Sequence, residues 1–490
     1  MPISDQLKYL MRDPLSILCR KKVVDPSNES TPLRRCLSVW DLTLLEIGCM
    51  IGSGIFMVVG SSIQDKAGPG VLLSFLIAGI PSFISALCYA EFGARVPRAG
   101  SSYDYVYVTL GEFWAAMVGW YFISSGLFWG AAGSIAWSSY FDTLFDNRIQ
   151  NWTLETIGSF NTPYLSPYPD FLACVVVLVF AAVIATGAKI SAWINNTFSL
   201  IKLGAMVFIV GYGFSLARFA NWENKDSGGF LPFGFSGVMA AAPSCLFAYV
   251  GFEAATTAGE EAKNPRKSIV LAIGFAFLIV IISYILMCAS LTLMLPYKDI
   301  STTSSFADAF DQRGAPWAKY IVAVGALSAL TTSLFGSLFY IPRYVYAVSS
   351  DGLIFGWLGR TVVMIAEAAI IARVDWNNTA QFYVFVVIGA LLASILVVLQ
   401  FLMLLFEQSS DDELWFKMPL VPFLPSISMF INILMILYLE PVTWLRFGVY
   451  MTIGILVYFF YGIHHSLRRT SVLQNSTHDL IRSENELEKL

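Results

Sequence analysis

The chain has few charged residues and very little histidine. Asp, Glu, Lys and Arg make up 13% of its 490 residues, whereas 57% are hydrophobic. A single soluble core could not bury that much apolar surface. The three histidines, His464, His465 and His478, lie at or beyond the last apolar stretch, and common nucleophile, metalloprotease and phosphate-loop motifs are absent from the sequence. The composition excludes an ordinary soluble domain and argues against an enzyme.

Paired cysteines and a strong net charge are also lacking. The seven cysteines show no C-x-x-C spacing and lie mostly in apolar stretches, where cysteine behaves as a small hydrophobic residue. We therefore expect no disulfide framework, metal site or cofactor. A net charge of −4 gives no reason to expect nucleic acid as a partner. Membrane lipid is the expected surrounding.

Long apolar stretches dominate what is present. A bilayer-spanning helix needs about 20 mostly apolar residues, and eleven stretches are long enough, which predicts an all-α polytopic membrane protein. The predicted spans are Val39–Ile63, Val71–Gly93, Leu110–Trp137, Phe171–Thr186, Ile194–Leu216, Gly237–Ala258, Ile269–Leu295, Trp317–Val348, Phe382–Phe406, Met418–Leu439 and Trp444–Tyr461.

The distribution of Lys and Arg predicts the orientation, because cytoplasmic loops carry the excess of these residues. Basic residues lie before the first span and in every second connection, at Arg34, Arg35, Arg95, Arg98, Lys189, Lys263, Lys267, Arg343 and Arg360. We expect both termini in the cytoplasm and the protein in the plasma membrane. The connection after the third span is then external, and its Asn151-Trp152-Thr153 sequon predicts glycosylation at Asn151.

Paired glycines interrupt the first span in the stretch Gly48–Phe56. Glycine destabilises a helix interior by about 1 kcal/mol, and a broken backbone in lipid is tolerated only beside a cavity or other protein. Unwound backbone there offers NH groups to an anion, as in many secondary transporters. The alternative is a close helix–helix contact through small residues.

The sixth span has a matching feature in Phe247–Glu253, where Gly251 precedes a carboxylate at mid-membrane depth. Freed carbonyls there could accept hydrogen bonds from a substrate ammonium, and an ionisable group at that depth is functional by default. The alternative is that Glu253 pairs with another helix. Because the first and sixth spans are five apart, we expect two inverted five-helix repeats that meet at a central site, with both helices broken.

Several segments give the chain a family resemblance. It resembles, over nearly its whole length, the cationic amino acid transporters of the amino acid–polyamine–organocation superfamily. Members usually have twelve to fourteen spans, and the segment that should hold helices nine and ten is absent here, so the second repeat is expected to be incomplete. The segments that carry the resemblance are Gly52–Phe56 (GSGIF), Cys88–Pro97 (CYAEFGARVP), Gly251–Lys267, Pro342-Arg343, Asp351–Leu353 and Pro422–Pro425.

The resemblance implies roles for individual residues. Glu91 matches a family carboxylate needed for transport, although it could simply pair with Arg95 one turn later. The backbone of three residues would hold the substrate α-carboxylate, and the carbonyls of four others would meet its α-amino group. The first set is Gly52, Ser53 and Gly54, and the second is Met50, Phe247, Ala248 and Val250.

Lys202 lies deep in the fifth span, and two interpretations of it stay open. It resembles the lysine that proton-coupled bacterial relatives place where sodium-coupled relatives hold an ion, so it could carry a proton. The alternative is a permanent bridge to carbonyls or hydroxyls of the first and eighth spans, with Ser328 and Ser333 as the candidate hydroxyls.

The sequence thus predicts a secondary transporter for arginine, lysine or ornithine that works by alternating access. One alternative is transport of neutral amino acids or polyamines. Another is a transport-incompetent isoform that pairs with itself or with an intact relative. The predicted segments are a cytoplasmic start at 1–38, a first repeat at 39–216, a truncated second repeat at 237–372, further helices at 382–461 and a cytoplasmic tail at 462–490.

Overall fold

Helices make up the regular structure of the described part of the chain. A computed structural model describes residues 20–22, 35–52, 54–143, 145, 148–157, 169–185, 187–223, 229–302, 305–354, 416–421, 423–437 and 441–466. Among these residues the sole extended pairing is an isolated bridge between Leu37 and Ala262. The all-α prediction is confirmed.

Thirteen labels are used below for the longer helices. They are α1 Val39–Met50, α2 Val71–Arg95, α3 Ser102–Thr109, α4 Glu112–Thr143, α5 Arg148–Ile157, α6 Phe171–Ala185, α7 Ala188–Ser215, α8 Gly234–Phe247, α9 Pro265–Met294, α10 Ser305–Gln312, α11 Ala318–Ser350, α12 Phe423–Leu437 and α13 Pro441–Val457. Short helical segments join them at Gly54–Val58, Val59–Ser62, Ile63–Ala67, Gly68–Gly70, Ala220–Glu223, Ala254–Thr257, Gly259–Glu261, Tyr297–Asp299, Tyr458–Gly462 and Ile463–His465.

Five helical stretches of the described residues are long and apolar enough to cross a membrane. They are Val39–Phe56, Val59–Arg95, Lys189–Ser215, Pro265–Met294 and Ala318–Ser350. They coincide with the first, second, fifth, seventh and eighth predicted spans. Shorter apolar helices lie at four other predicted spans. The predicted span Phe382–Phe406 lies outside the described residues, so the total of eleven stays a prediction.

Local sequence fixes where two central helices begin. The Ser38 hydroxyl accepts from the backbone N of Asp41 at 3.3 Å, and the Asp41 carboxylate accepts from the backbone N of Ser38 at 2.9 Å. This reciprocal cap satisfies two amides that the first turn of α1 leaves without partners. α9 begins with Pro265, whose fixed φ suits the first helical position.

Helix packing places α1 at the centre of the bundle. α1 contacts α7, α9 and α11, while α2 packs against α9 and α4 packs against α11. The second and seventh predicted spans therefore lie side by side, as do the third and eighth. Two repeats offset by five helices would give this pairing. The division at 39–216 and 237–372 stays a prediction, because residues 355–415 lie outside the described part of the chain.

Candidate functional site

α1 stops in the middle of the first predicted span. Met50 is its last residue, and Ile51 leaves the helical region with φ −82° and ψ 87°. The backbone N of Gly52 donates to the Met50 carbonyl at 3.0 Å, and a π-helical turn, Gly54–Val58, restarts the span. Ser53 lies outside the described residues. The interruption leaves carbonyls of the last turn of α1 without helical partners.

α8 is interrupted at the corresponding place in the sixth predicted span. It ends at Phe247, and irregular turns continue to Glu253, after which Ala254–Thr257 forms one short helical turn. Gly251 has φ +117°, a conformation that side chains with a Cβ rarely adopt. A Cβ at this position would also lie 3.0 Å from the carbonyl carbon of Cys49. Glycine is required here by conformation and by space.

The two interruptions touch each other through backbone. A Cβ on Gly54 would lie 2.5 Å from the Ala248 Cα, and a Cβ on Gly52 would lie 2.7 Å from the Ser333 Cβ on α11. Both distances are shorter than non-bonded carbon atoms allow. The paired glycines therefore serve close approach at the same place where the helix is interrupted, and the binding of an anion by the backbone there stays a prediction.

The Tyr284 hydroxyl on α9 connects the two interruptions. It lies 2.9 Å from the Met50 carbonyl oxygen and 2.8 Å from the Ala248 carbonyl oxygen, and the side chain is fully buried. Its single proton is shared between two acceptors. A carbonyl oxygen has two lone pairs, so the Ala248 oxygen keeps one for another donor, whereas the Met50 oxygen also accepts from the backbone N of Gly52. Tyr284 thus fixes the relative position of two carbonyls that were predicted to meet a substrate.

Lys202 on α7 is completely buried and bonded to α1. Its ammonium donates to the carbonyl oxygens of Ile47, Gly48 and Ile51 at 2.8–3.0 Å, and to the Thr332 hydroxyl of α11 at 2.8 Å. These carbonyls belong to the last turn of α1 and to the residue after it. The Ile47 carbonyl also keeps its helical donor, the backbone N of Ile51, whereas the backbone N of Gly52 donates to Met50, so among the described residues the donor to the Gly48 carbonyl is the ammonium.

The hydroxyl that contacts Lys202 differs from the two predicted. Thr332 accepts from the ammonium, whereas Ser333 accepts from the Trp129 indole at 3.2 Å. Ser328 is buried one helical turn before Thr332. Ser328 and Thr332 lie four residues apart and so share one face of α11, and Thr332 is the one of the two whose hydroxyl accepts from the Lys202 ammonium.

Two predicted site residues have exposed side chains. Phe247 and Val250 are each 41% exposed, and the Trp129 ring packs against Phe247 with centroids 4.7 Å apart. Glu253 is partly exposed at the end of the α8 interruption. The backbone interruptions are thus bordered by an aromatic pair and a carboxylate.

Comparison with known proteins decides the family. The amino acid permease family profile matches residues 37–475. The chain belongs to the amino acid permease family. This permease is 36% identical to "Cationic amino acid transporter 4" of Homo sapiens over 606 aligned positions, which cover 97% of the permease and 95% of that protein. It is 33% identical to "Methylthioribose transporter" of Bacillus subtilis, covering 92% of the permease and 99% of that protein.

A solved structure also matches the permease. It shows MhsT in complex with L-phenylalanine, with a TM-score of 0.48 and 17% identity, over 69% of the permease and 78% of that chain. The 606 aligned positions with the human relative exceed the 490 residues of the permease, so that relative has positions with no counterpart here.

Family membership settles the class of protein. The permease is an integral membrane protein that transports amino acids, and it is not an enzyme, as the sequence predicted. The predicted resemblance to cationic amino acid transporters is confirmed at the level of family. The residue roles that the resemblance implied stay predictions.

Glu91 lies on the last turn of α2, where its bonds do not involve the interruptions. One carboxylate oxygen accepts from the Arg95 guanidinium at 2.7 and 3.0 Å, and the other accepts from the backbone N of Met418 at 2.7 Å. The pair with Arg95 that the sequence offered as an alternative is present. Glu91 also ties α2 to the segment that leads into α12.

An ion cluster lies at the end of the permease at which α1 begins. The Lys22 ammonium lies 3.0 Å from Asp104 and 2.6 Å from Asp351, and the Tyr103 hydroxyl donates to Asp351 at 2.8 Å. Burial lowers the pKa of Lys22, but the two carboxylates outweigh it and hold that pKa above its usual 10.5. Burial raises the pKa of Asp104 more than the neighbouring Lys22 lowers it.

Backbone pairing and a second ion pair lie at the same end. The backbone N of Leu37 donates to the Glu261 carbonyl at 2.9 Å, and the backbone N of Lys263 donates to the Leu37 carbonyl at 2.9 Å. The Glu261 carboxylate lies 2.6 Å from the Arg343 guanidinium of α11. The start of α1 is thus fastened to the segment after α8 and to α11.

Sequence reasoning missed Tyr284, Thr332 and Trp129. Each is a polar or amphipathic side chain inside an apolar span, and in lipid such groups need an internal partner. That signal marks all three as inward-facing. It does not give their partners, because the partners lie on helices distant in sequence.

Proposed function

We propose that the permease moves cationic amino acids, such as arginine, lysine and ornithine, across the plasma membrane by alternating access. The observation that carries the proposal is the pair of interrupted helices, α1 and α8, whose backbones meet at one place. The human relative is named as a cationic amino acid transporter, which supports this class of substrate.

In this proposal the interruption of α1 binds the substrate carboxylate. The span restarts at Gly54, and the first amides of a helix have no internal partners. Such a helix start also carries a partial positive charge that favours an anion. Gly52, Ser53 and Gly54 are the residues whose amides would bind the substrate carboxylate; in the present structure the Gly52 amide donates to the Met50 carbonyl.

The carbonyls of both interruptions bind the substrate α-amino group. Met50 and Ala248 are oriented by Tyr284, and the Ala248 oxygen retains a lone pair. Phe247 and Val250 supply further carbonyls at the exposed side. Glu253, partly exposed beyond them, is the carboxylate that faces the cationic end of the substrate.

The fixed ammonium of Lys202 serves as a bridge in this proposal. Its four oxygen partners exceed its three N–H donors, so no donor is left for a transported ligand. Lys202 then holds the broken end of α1 against α7 and α11, with Ser328 and Ser333 packed beside it on α11. Glu91 fastens α2 to the segment before α12.

Alternating access requires one end to be closed while the other is open. With the amino terminus in the cytoplasm, the Lys22 cluster and the Leu37 pairing close the cytoplasmic end, and the exposed Phe247 and Val250 belong to the open side. Asn151 is exposed on α5, which leaves it accessible for glycosylation outside the cell.

The test is uptake of radiolabelled arginine and leucine in oocytes that express the permease, with surface labelling of each variant. Gly54→Ala places a Cβ against the Ala248 backbone, whereas Gly211→Ala adds a Cβ that meets nothing within 4 Å. We expect saturable arginine uptake that Gly54→Ala abolishes and Gly211→Ala preserves. Surface-expressed permease without arginine uptake would contradict the proposal.

A further inference from the structure

Glu46 is a buried carboxyl group in α1 that has no role in the proposed cycle so far. Its exposure is 0%, and neither carboxylate oxygen has a hydrogen-bond partner among the residues that the structure describes. It lies one helical turn before Met50, the last residue of α1. A buried polar group without a partner is rare enough to need a physical explanation.

The neighbours of Cys49 show which way Glu46 faces. A Cβ on Gly336 of α11 would lie 2.3 Å from the Cys49 Sγ, and a Cβ on Gly251 would lie 3.0 Å from the Cys49 Cβ. Residues three apart on a helix share a face. Glu46 therefore faces α11 and the segment after α8, one turn nearer the closed end than Cys49.

No cation among the described residues contacts the Glu46 carboxylate. Lys202 spends its donors on α1 carbonyls and Thr332, and Arg343 is paired with Glu261. The remaining titratable groups that face this region carry no positive charge: Cys49 on α1, Tyr284 on α9, Tyr340 on α11, and Glu253, Glu260 and Glu261 after α8.

An ionised carboxylate without partner or solvent is very costly in a protein interior, whereas the neutral acid is not. We propose that Glu46 is a proton-binding site of the transport cycle, neutral while the amino-terminal end is closed and ionised once that end opens to water.

The step balances as a simple ionisation. When the start of α1 moves away from α11, water reaches Glu46, its O–H bond breaks, the proton passes to water and the carboxylate keeps the electron pair. Closure reverses the step. Because the closed state binds the proton more tightly, a low pH on the amino-terminal side stabilises closure, and that advantage is lost as the pH rises.

The experiment measures exchange of arginine in proteoliposomes while the pH on the amino-terminal side is varied from about 5 to about 8. This reading rests on the proposed function. We expect exchange to accelerate by up to about tenfold per pH unit where Glu46 titrates. Glu46→Gln should give one slow rate at every pH, Glu46→Asp should keep the slope, and the exposed Glu155→Gln should match the wild type.

Three outcomes overturn the inference. The first is a wild-type rate that does not change with pH, and the second is a Glu46→Gln variant that keeps the wild-type slope. The third is a KM that rises for arginine but not for leucine in Glu46→Gln with the slope intact, which would make Glu46 the partner of the substrate side chain.

A second measurement separates this inference from the proposed function. The melting temperature of the purified permease is recorded at about pH 5 and at about pH 8. Glu46→Gln should gain stability over the wild type as the pH rises, because the unfolded wild type ionises and the buried group resists ionisation. If Glu46→Gln gains stability in this way but the wild type transports nothing, the proposed function alone is contradicted. If Glu46→Gln gains no stability over the wild type, the proton site is contradicted.

Discussion

The ammonium of Lys22 lies 2.6 Å from a carboxylate oxygen of Asp351, although 329 positions separate them in sequence. Asp351 ends α11, and Lys22 precedes the segment that leads into α1. With Asp104 of α3 as the second carboxylate, this contact joins three parts of the chain at the closed end. The stability of that end should therefore depend on one ammonium group.

Lys22→Ala removes this ammonium and leaves two carboxylates together, one of them buried. Breaking a buried ion pair by removing one partner costs roughly 3 kcal/mol. We expect a lower melting temperature and faster labelling of the native Cys36 by a thiol reagent, since Cys36 lies next to the paired Leu37. Lys21→Ala, at an exposed neighbour, is the matched control. Equal labelling in the two variants would contradict the role of Lys22.

The same group predicts a pH dependence of stability. Because the folded pKa of Lys22 lies above its usual 10.5, its contribution is fully present below about 10.5 and is lost as the pH rises through the folded value. The difference in melting temperature between the wild type and Lys22→Met should stay constant from about pH 6 to about pH 9. It should shrink above about pH 10.5. If this difference already declined between about pH 6 and about pH 9, another group would set this stability.

Tyr284→Phe tests the connection between the two interruptions. It removes the hydroxyl shared by the Met50 and Ala248 carbonyls and leaves the ring in place. The loss of about 1 kcal/mol of hydrogen bonding corresponds to a rise in KM of about fivefold. Arginine uptake kinetics measure it, with Tyr346→Phe, at an exposed position of α11, as the control. An unchanged KM with a lowered melting temperature would assign Tyr284 to folding alone.

Thr332→Val tests the bridge of Lys202. The substitution keeps the shape of the side chain and removes the hydroxyl that accepts from the ammonium, which costs about 1.5–3 kcal/mol for a bond to a charged group. Thermal unfolding in detergent measures this loss. Ser328→Ala, one turn away on α11, should cost less because it does not remove a partner of Lys202. The reverse order would restore Ser328 as the bridging hydroxyl.

Hydropathy located most of the described helices within a few residues, because the thickness of the bilayer sets the length of an apolar stretch. The interruptions were predictable for a different reason. Gly52, Gly54 and Gly251 are costly inside helices, so their presence indicates a break or a close approach, and the structure shows both. The positions of these glycines within apolar spans therefore predicted where the candidate site lies.

The partners within the site could not be predicted in the same way. Thr332 contacts Lys202 because of the rotation of α11 about its axis, and an apolar span carries little periodicity from which to infer that rotation. Glu46 is a different case. It is an ionisable residue inside the first span, which is by itself a functional signal. The sequence analysis assigned a role to the neighbouring glycines and none to Glu46.

The pairing of Leu37 with Glu261 and Lys263 is made by backbone groups. Such a fastening depends on the spacing of residues along the chain, and the identity of the side chains matters little to it. Substitutions beside Leu37 should therefore be tolerated more readily than the insertion of a residue between Leu37 and Ser38, the cap of α1. The length of the chain at this point, counted in residues, therefore determines whether the pairing can form.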